Sequence, residues 1–262
     1  TEMIKNFRMS RKVFAWPYIL FMLLFIVTPL VMVLVNAFLA DGKLTLDNFV
    51  DFFSDRSSLD VLAVSLIVGF VTTLLCLLLG YPIAYILSKT ESGKILVLLF
   101  ILPMWVNFLI RTLATKSIFE WMGVKLGIGT VIFGMVYNYL PFMILPLHTT
   151  LSNIDKSYAE AAGDLGADPF TVFLKTVLPL SLPGIISGIT MVFIPTISTF
   201  AISELLSNNT IKLFGDSINL KFNHIETYGV GSVMSLIMLA LVLLSNFFMN
   251  RFNKDVYNRG VI

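Results

Sequence analysis

Residues 152–179 read SNIDKSYAEAAGDLGADPFTVFLKTVLP, a polar interlude between two long apolar runs, and its reading decides how the chain is organised. Asp155 and Ser157 are both able to cap a short helix that starts there. Ala159, Glu160, Ala161 and Ala162 are good helix formers that carry it onward. Gly166 supplies a stopping point, and Asp168-Pro169 offers a fresh cap with proline at the first helical position. A second short helix, from Phe170 to about Val177, then leads to Pro179 and the next apolar run. Ala161, Ala162, Gly163, Gly166 and Ala167 keep the segment slim enough to enter a groove on another protein, with Tyr158, Leu165 and Phe170 as apolar anchors. The same residues also suit a plain surface helix joining two spans, with alanine serving helix propensity alone.

Outward from this loop lie apolar runs at about Thr130–Leu151 and Leu178–Leu206. Four more lie at about Val13–Leu39, Val61–Leu87, Ile95–Leu113 and Gly229–Phe248. Runs of about twenty residues match the hydrocarbon thickness of a bilayer. The 262 residues are 57% hydrophobic and only 13% charged, whereas a soluble domain carries about 25% charged residues. The expected architecture is an all-α membrane protein of about six transmembrane helices. It forms one domain over residues 1–262, with its long cytoplasmic loop at about 152–177. The polar connections are Ala40–Asp60, Ser88–Lys94, Ala114–Gly129, Ser152–Val177 and Ser207–Tyr228.

Lysine and arginine set the expected orientation. With a cytoplasmic N-terminus, the inside segments hold Lys5, Arg8, Arg11, Lys12, Lys89, Lys94, Lys156, Lys175, Arg251, Lys254 and Arg259. The outside segments hold Lys43, Arg56, Arg111, Lys116, Lys125, Lys212 and Lys221, so the 18 basic residues divide 11 to 7 in favour of both termini inside. The first run follows four basic residues, as a secretory leader would. Its length and the lack of a small-residue cleavage site favour a retained helix.

Several chemistries find no support. A net charge of +2 without a basic cluster does not suit nucleic acid. The single Cys76 excludes an intrachain disulfide, and His148 and His224 have no companions at metal-ligand spacing, so no metal site is expected. No Ser/His/Asp arrangement suggests an intramembrane enzyme, and no internal repeat suggests a self-sufficient secondary transporter. Nine of the ten prolines fall within or at the ends of the apolar runs. They suit kinked helices packed around a pathway, and also the general abundance of proline in membrane helices.

Glu160-Ala161-Ala162, three residues, Gly166, nine residues and then the later Leu178-Pro179 resemble the EAA loop of ABC importer permeases, with Thr176 where that family prefers isoleucine. The resemblance covers nearly the whole chain and implies a type I permease fold with coupling helices that dock in a cleft of a cytoplasmic ATPase. Within the family, the chain is most similar to permeases of spermidine/putrescine importers. Ile101-Leu102-Pro103-Met104-Trp105-Val106-Asn107 with Ile110-Arg111-Thr112, Phe193-Ile194-Pro195 through Glu204-Leu205-Leu206, Gly215-Asp216-Ser217-Ile218 and Gly229-Val230-Gly231-Ser232 carry that similarity. Permeases for iron, sulfate, thiosulfate and molybdate share parts of the pattern. Thr199 stands where many relatives have aspartate, and Ser207-Asn208 replaces a Gly-Gly pair.

The resemblance implies a machine in a prokaryotic plasma membrane. Its other parts are a cytoplasmic ATPase in two copies that binds ATP and magnesium, a second homologous permease subunit and an extracytoplasmic substrate-binding protein. The chain has no nucleotide-binding loop of its own, and no cofactor is expected within it. Glu160, Ala161, Ala162, Gly166, Tyr158, Leu165 and Phe170 are the expected ATPase-coupling residues. A polyamine would need carboxylates, carbonyl oxygens and aromatic faces in place of water. Glu204, Trp105, Asn107, Tyr137, Asn138 and Thr199 are the expected path residues, with Tyr139 a further aromatic face. Glu204 equally suits a solvated helix end, and Trp105 and Tyr137 equally suit an interfacial belt. Arg111 is awkward for a cation path; pairing with an acid at the outer gate is expected first, ahead of binding the external receptor or snorkelling to headgroups.

Overall fold

A computed structural model describes residues 15–40 and 42–258; Lys5, Arg8, Arg11, Lys12, Asp41 and Arg259 lie outside them. The described chain is almost entirely helical. Its elements are α1 (Trp16–Ala37), α2 (Asp47–Ser54), α3 (Arg56–Lys89), α4 (Ile95–Trp105), α5 (Phe108–Trp121) and α6 (Ile128–Asn153). These are followed by α7 (Lys156–Asp164), α8 (Pro169–Leu180), α9 (Leu182–Ser198), α10 (Ala201–Leu206), α11 (Phe214–Phe222) and α12 (Ile225–Met249). A two-stranded hairpin, Leu39–Ala40 against Lys43–Leu44, joins α1 to α2.

Among the described residues, helices α1, α3, α6 and α12 are each long and apolar enough to cross a membrane, and two bent pairs, each taken as one span, bring the number to six. The third span is two helices, α4 and α5, meeting at 88°, and the fifth is α8 and α9, meeting at 62°. Proline explains where the backbone gives way, since it removes a donor and crowds the preceding turn. Pro103 sits in a 3-10 turn, Leu102–Trp105, immediately before extended Val106. Pro179 and Pro183 flank Ser181, whose hydroxyl donates to the Leu178 carbonyl at 2.9 Å. Ahead of Pro29 the helix widens into a π-turn, Leu23–Val27, and Thr28 Oγ1 returns a hydrogen bond to the Leu23 carbonyl at 2.9 Å.

Three boundaries differ from the sequence expectation. Ala114–Trp121 continues α5 where a connection is expected, its solvent-ward turn carrying the Lys116–Glu120 pair at 3.9 Å. The helix after Asp168 runs through Pro179 as far as Leu180, because its break falls at Ser181. The fifth apolar run ends as a helix at Ser198. Thr199 is extended, and α10 starts anew at Ala201. Pro195 lacks a donor, and β-branched Thr196, Ile197 and Thr199 weaken the last turn.

Lipid is as apolar as leucine, so burial alone does not drive these helices together and close packing must. The centre is α3, α6 and α9. On the loop side, Cys76, Tyr81, Ala84, Met143, Ile144, Leu147 and Val192 form one core; on the far side, Val68, Val131, Met135, Ile202 and Leu206 form another. At Gly184 a Cβ would stand 2.7 Å from Thr150 Oγ1 and 3.0 Å from the Pro146 carbonyl. Only glycine lets α9 approach α6 so closely there. A third core, Ala37, Phe52, Phe214, Val233 and Met234, ties α11, α12 and the end of α1 together. The result is two working regions: the loop of α7 and α8, and a set of breaks where the third and fifth spans face the middle of α6.

Candidate functional site

Asn107 leaves the 88° bend in extended backbone and caps α5, its Oδ1 accepting from Leu109 N–H at 2.9 Å. That cap fixes the direction of α5 and carries Arg111, one turn on, toward α6. Opposite, Asn138 is 3% exposed and its Nδ2 donates to the Gly134 carbonyl at 2.8 Å. Tyr139 O–H reaches the Pro195 carbonyl at 3.5 Å, a weak bond, with the Thr199 side chain beside it. These groups line a cavity of about 370 Å³, walled also by Met104, Val106, Phe108, Phe142 and Ile202. Asn138 to Phe142 are the middle of a 26-residue helix, which spans about 39 Å, so the cavity lies near mid-depth.

Its electrostatics are unusual. Among the described residues, the buried side-chain nitrogen or oxygen atoms without a hydrogen-bond partner are Arg111 Nε, Arg111 Nη1 and Asn138 Oδ1. All three belong to residues of this one cavity. Buried polar groups are nearly always paired, so a cluster of orphans marks a place that expects a visitor. The Arg111 guanidinium also lies 5.7 Å from the Tyr137 ring centroid, a cation-π contact.

Of the expected path residues, Asn107, Asn138 and Thr199 line the cavity. Tyr137 supports it by holding Arg111. Trp105 points away and is 82% exposed, as an interfacial ring would be. Glu204 is exposed on α10, outside the cavity. Beyond it, Asp216 caps the start of α11, accepting from Ser203 O–H and from Leu213 N–H, each at 2.6 Å. Burial pushes the Asp216 carboxyl up to about 6; the Ser203 and Leu213 bonds and Lys212 pull it down, and Glu204 adds to the rise. Sequence reasoning missed Phe142 and Ile202, although Phe142 stands four residues from Asn138 on the same helix face.

The loop end is built differently. Asp155 caps α7 through Ser157 N–H at 2.9 Å, and Asp168 caps α8 through Phe170 and Thr171 N–H groups at 3.1 and 3.2 Å. The bonds received, from Ser157 in one case and chiefly from the Thr171 side chain in the other, hold both carboxyls below the usual aspartate range. Gly166 turns the chain with φ +86°, a left-handed conformation that side chains with a Cβ resist. Glu160 and Ala161 are exposed on α7 and Ala162 is half-buried. Leu165, Phe170 and Tyr158 are 90%, 69% and 53% exposed, an apolar set pointing away from the protein.

What links this loop to the spans was not legible beforehand. The Phe173 ring packs edge-on between Tyr81 and Tyr85 of α3, at 5.8 and 5.5 Å between centroids. Tyr81 O–H shares a hydrogen bond with Ser181, at the 62° bend, at 2.9 Å. Contacts from α8 therefore reach both α3 and the bend. The i, i+4 spacing of Tyr81 and Tyr85 is the signal that could have drawn attention to it.

Comparison with known proteins fits this arrangement. Residues 6–257 match the family described as binding-protein-dependent transport system inner membrane component. The chain is 34% identical to the spermidine/putrescine transport system permease protein PotB of Haemophilus influenzae over 275 aligned residues, covering 95% of this chain and 94% of that protein. It is also 34% identical to the PotB protein of Escherichia coli K12, covering 85% and 91%. Among solved structures, a chain of a bacterial alginate ABC transporter, in complex with its pentasaccharide-bound periplasmic protein, shares the fold. The TM-score is 0.66, over 94% of each chain at 13% identity.

Proposed function

Because the chain belongs to the binding-protein-dependent transport system inner membrane components, we propose that it is the permease subunit of an ATP-driven importer that carries spermidine and putrescine inward by alternating access. The observation that carries the reading is the mid-depth cavity, into which three unpartnered polar atoms gather where two spans are broken. A pathway needs polar groups that are not already satisfied by the protein. The Asn138 amide oxygen and Thr199 hydroxyl accept ammonium hydrogens, while the Tyr139 and Phe142 rings offer cation-π faces. Glu204, on the exposed surface beyond the break, draws cations to the mouth.

The rest of the machine follows from the same reading. The chain lies in a prokaryotic plasma membrane with both termini cytoplasmic, so that α7 and α8 face the cytoplasm. Tyr158, Leu165 and Phe170, set by the turn at Gly166, enter a groove on an ATPase subunit present in two copies. That subunit binds ATP and magnesium and performs the hydrolysis. A second, homologous permease subunit completes the pathway, and an extracytoplasmic binding protein delivers the cargo. Closure of the ATPase pair moves α8, and Phe173 passes the motion to α3 and to the Ser181 bend.

Arg111 is the one group that opposes a cationic cargo. At an effective dielectric of about 20, two like charges about 5 Å apart repel by about 3 kcal/mol. That observation favours a second reading, an anionic cargo such as sulfate or molybdate. The test is uptake of radiolabelled spermidine, putrescine and sulfate by proteoliposomes holding the complete complex, with and without internal ATP. ATP-dependent polyamine uptake is the expected result. Sulfate uptake, or none at all despite an intact complex and a competent binding protein, would refute the polyamine cargo.

A further inference from the structure

Resting on the paired-permease reading above, we infer that the Arg111 guanidinium is the docking point for a carboxylate of the companion permease subunit, so that the cavity is complete only when the two subunits meet. Arg111 Nε and Nη1 are buried without partners, and no hydrogen bond or ion pair from this guanidinium occurs among the described residues. A guanidinium held this way lacks only an acceptor of opposite charge, and a carboxylate is the side chain that matches its planar fork.

Among the described residues no carboxylate lies within ion-pair distance of it, and Glu204, on the neighbouring α10, is turned to the exposed surface. In the spanning helices the acids are Asp60, Glu120 and Glu226, each within five residues of a helix end. Glu120 is nine residues beyond Arg111, about 13 Å along α5, and already pairs with Lys116. A lipid phosphate does not fit either, because the cavity is set beside the middle of α6 and headgroups lie at the membrane faces. The surface around the cavity mouth, in contrast, suits another membrane helix. Val106 and Phe108, which wall the cavity, are 46% and 41% exposed, and Leu109 and Ile110, next to them in the chain, are 39% and 61% exposed, an apolar stretch leading up to Arg111. An acid in a companion span would be as costly to leave alone as Arg111 is here, so each solves the other's desolvation. The pair would also neutralise the one charge that repels a polyamine.

The test uses the complete complex, purified through a tag on this chain. Arg111→Glu should lower recovery of the companion permease and uptake by about tenfold or more. Each membrane Asp or Glu of the companion is then changed to Lys in that background. One such change should restore recovery of the complex, although it impairs assembly with the unaltered chain. Arg111→Gln, which removes the charge without reversing it, should weaken assembly less than Arg111→Glu. The inference is overturned if no companion lysine rescues assembly, or if Arg111→Gln alters uptake but leaves assembly intact, because the guanidinium then meets cargo. Assembly is read without any cargo, so rescue in a complex that moves no polyamine would keep this inference and remove only the cargo assignment.

Discussion

Two regions of the helical bundle, one at its loop end and one at mid-depth, are unfinished in opposite ways. In the loop of α7 and α8 the helix starts and the turn are closed by the chain itself. Asp155 and Asp168 cap their helices and Gly166 completes the turn, while the apolar Leu165, Phe170 and Tyr158 stand in the open. In the mid-depth cavity the polar Arg111 and Asn138 carry buried atoms with no partner, beside apolar walls that run from packed Ile202 to half-exposed Val106 and Phe108. A surface with satisfied backbone and loose hydrophobes waits for a groove. A cavity with loose polar atoms waits for charge or hydrogen-bonding groups. The contrast assigns different kinds of partner to each region.

The largest expected effect tests the loop. Gly166→Trp should abolish uptake while membrane insertion, followed by immunoblot of membranes, survives. Gly166→Asn, which tolerates the left-handed turn, should retain most of the uptake. If both variants transport normally, the loop is a plain connector and the comparison collapses. Next is the cavity: Asn138→Leu removes one unpaired acceptor near mid-depth and should lower uptake about tenfold, the equivalent of one buried hydrogen bond to a charged group. Recovery of the complex should not change, and a loss of assembly instead would make Asn138 a packing residue.

A smaller effect is expected where the two regions are joined. Phe173→Ala deletes two edge-on ring contacts worth about 0.5–1.5 kcal/mol each. Uptake per ATP hydrolysed should fall several-fold while ATP hydrolysis persists, as measured on the same vesicles. An unchanged ratio would mean that the regions communicate by another route.

The smallest effect is on pH. The folded Asp216 carboxyl is raised from 3.8 to about 6, so the native state holds the proton more tightly than the unfolded chain. The stability due to that proton is fully present below about pH 4 and is lost as pH rises through about 6. Going from pH 7 to 5 should therefore stabilise the wild type more than Asp216→Asn, by about 1 kcal/mol. Parallel melting curves for the two proteins would mean that Asp216 is solvated and does not brace the start of α11.

The loop was legible in the sequence because its signals are local. Caps, the glycine stop and the Asp168-Pro169 start act over a few residues, and the structure adds only the continuation to Leu180. The six apolar runs were legible for the same reason. The breaks within them were not, since prolines at 82, 141 and 146 leave their helices continuous, while Pro103 and Pro183 stand at sharp bends. What differs is the tertiary support around each, which no window of sequence contains. The cavity draws on α4, α5, α6 and the break after α9, so residue chemistry and the family resemblance grouped Asn107, Asn138 and Thr199 together with Trp105 and Glu204, which point elsewhere. Tyr137 and Asn138 are neighbours in sequence, yet a helix turns them about 100° apart.

Helix α1 carries a practical consequence. Apart from Ala37 at its end, none of the residues of Trp16–Ala37 is buried. Its second half rests on α12, but its other faces meet lipid, and any amphiphile that replaces lipid during purification becomes their chief contact. Long-chain maltosides should keep the helix straight beside the bundle. Short-chain detergents, whose micelles are thinner than its apolar length, should detach it first and expose its root at Ala37 to proteases.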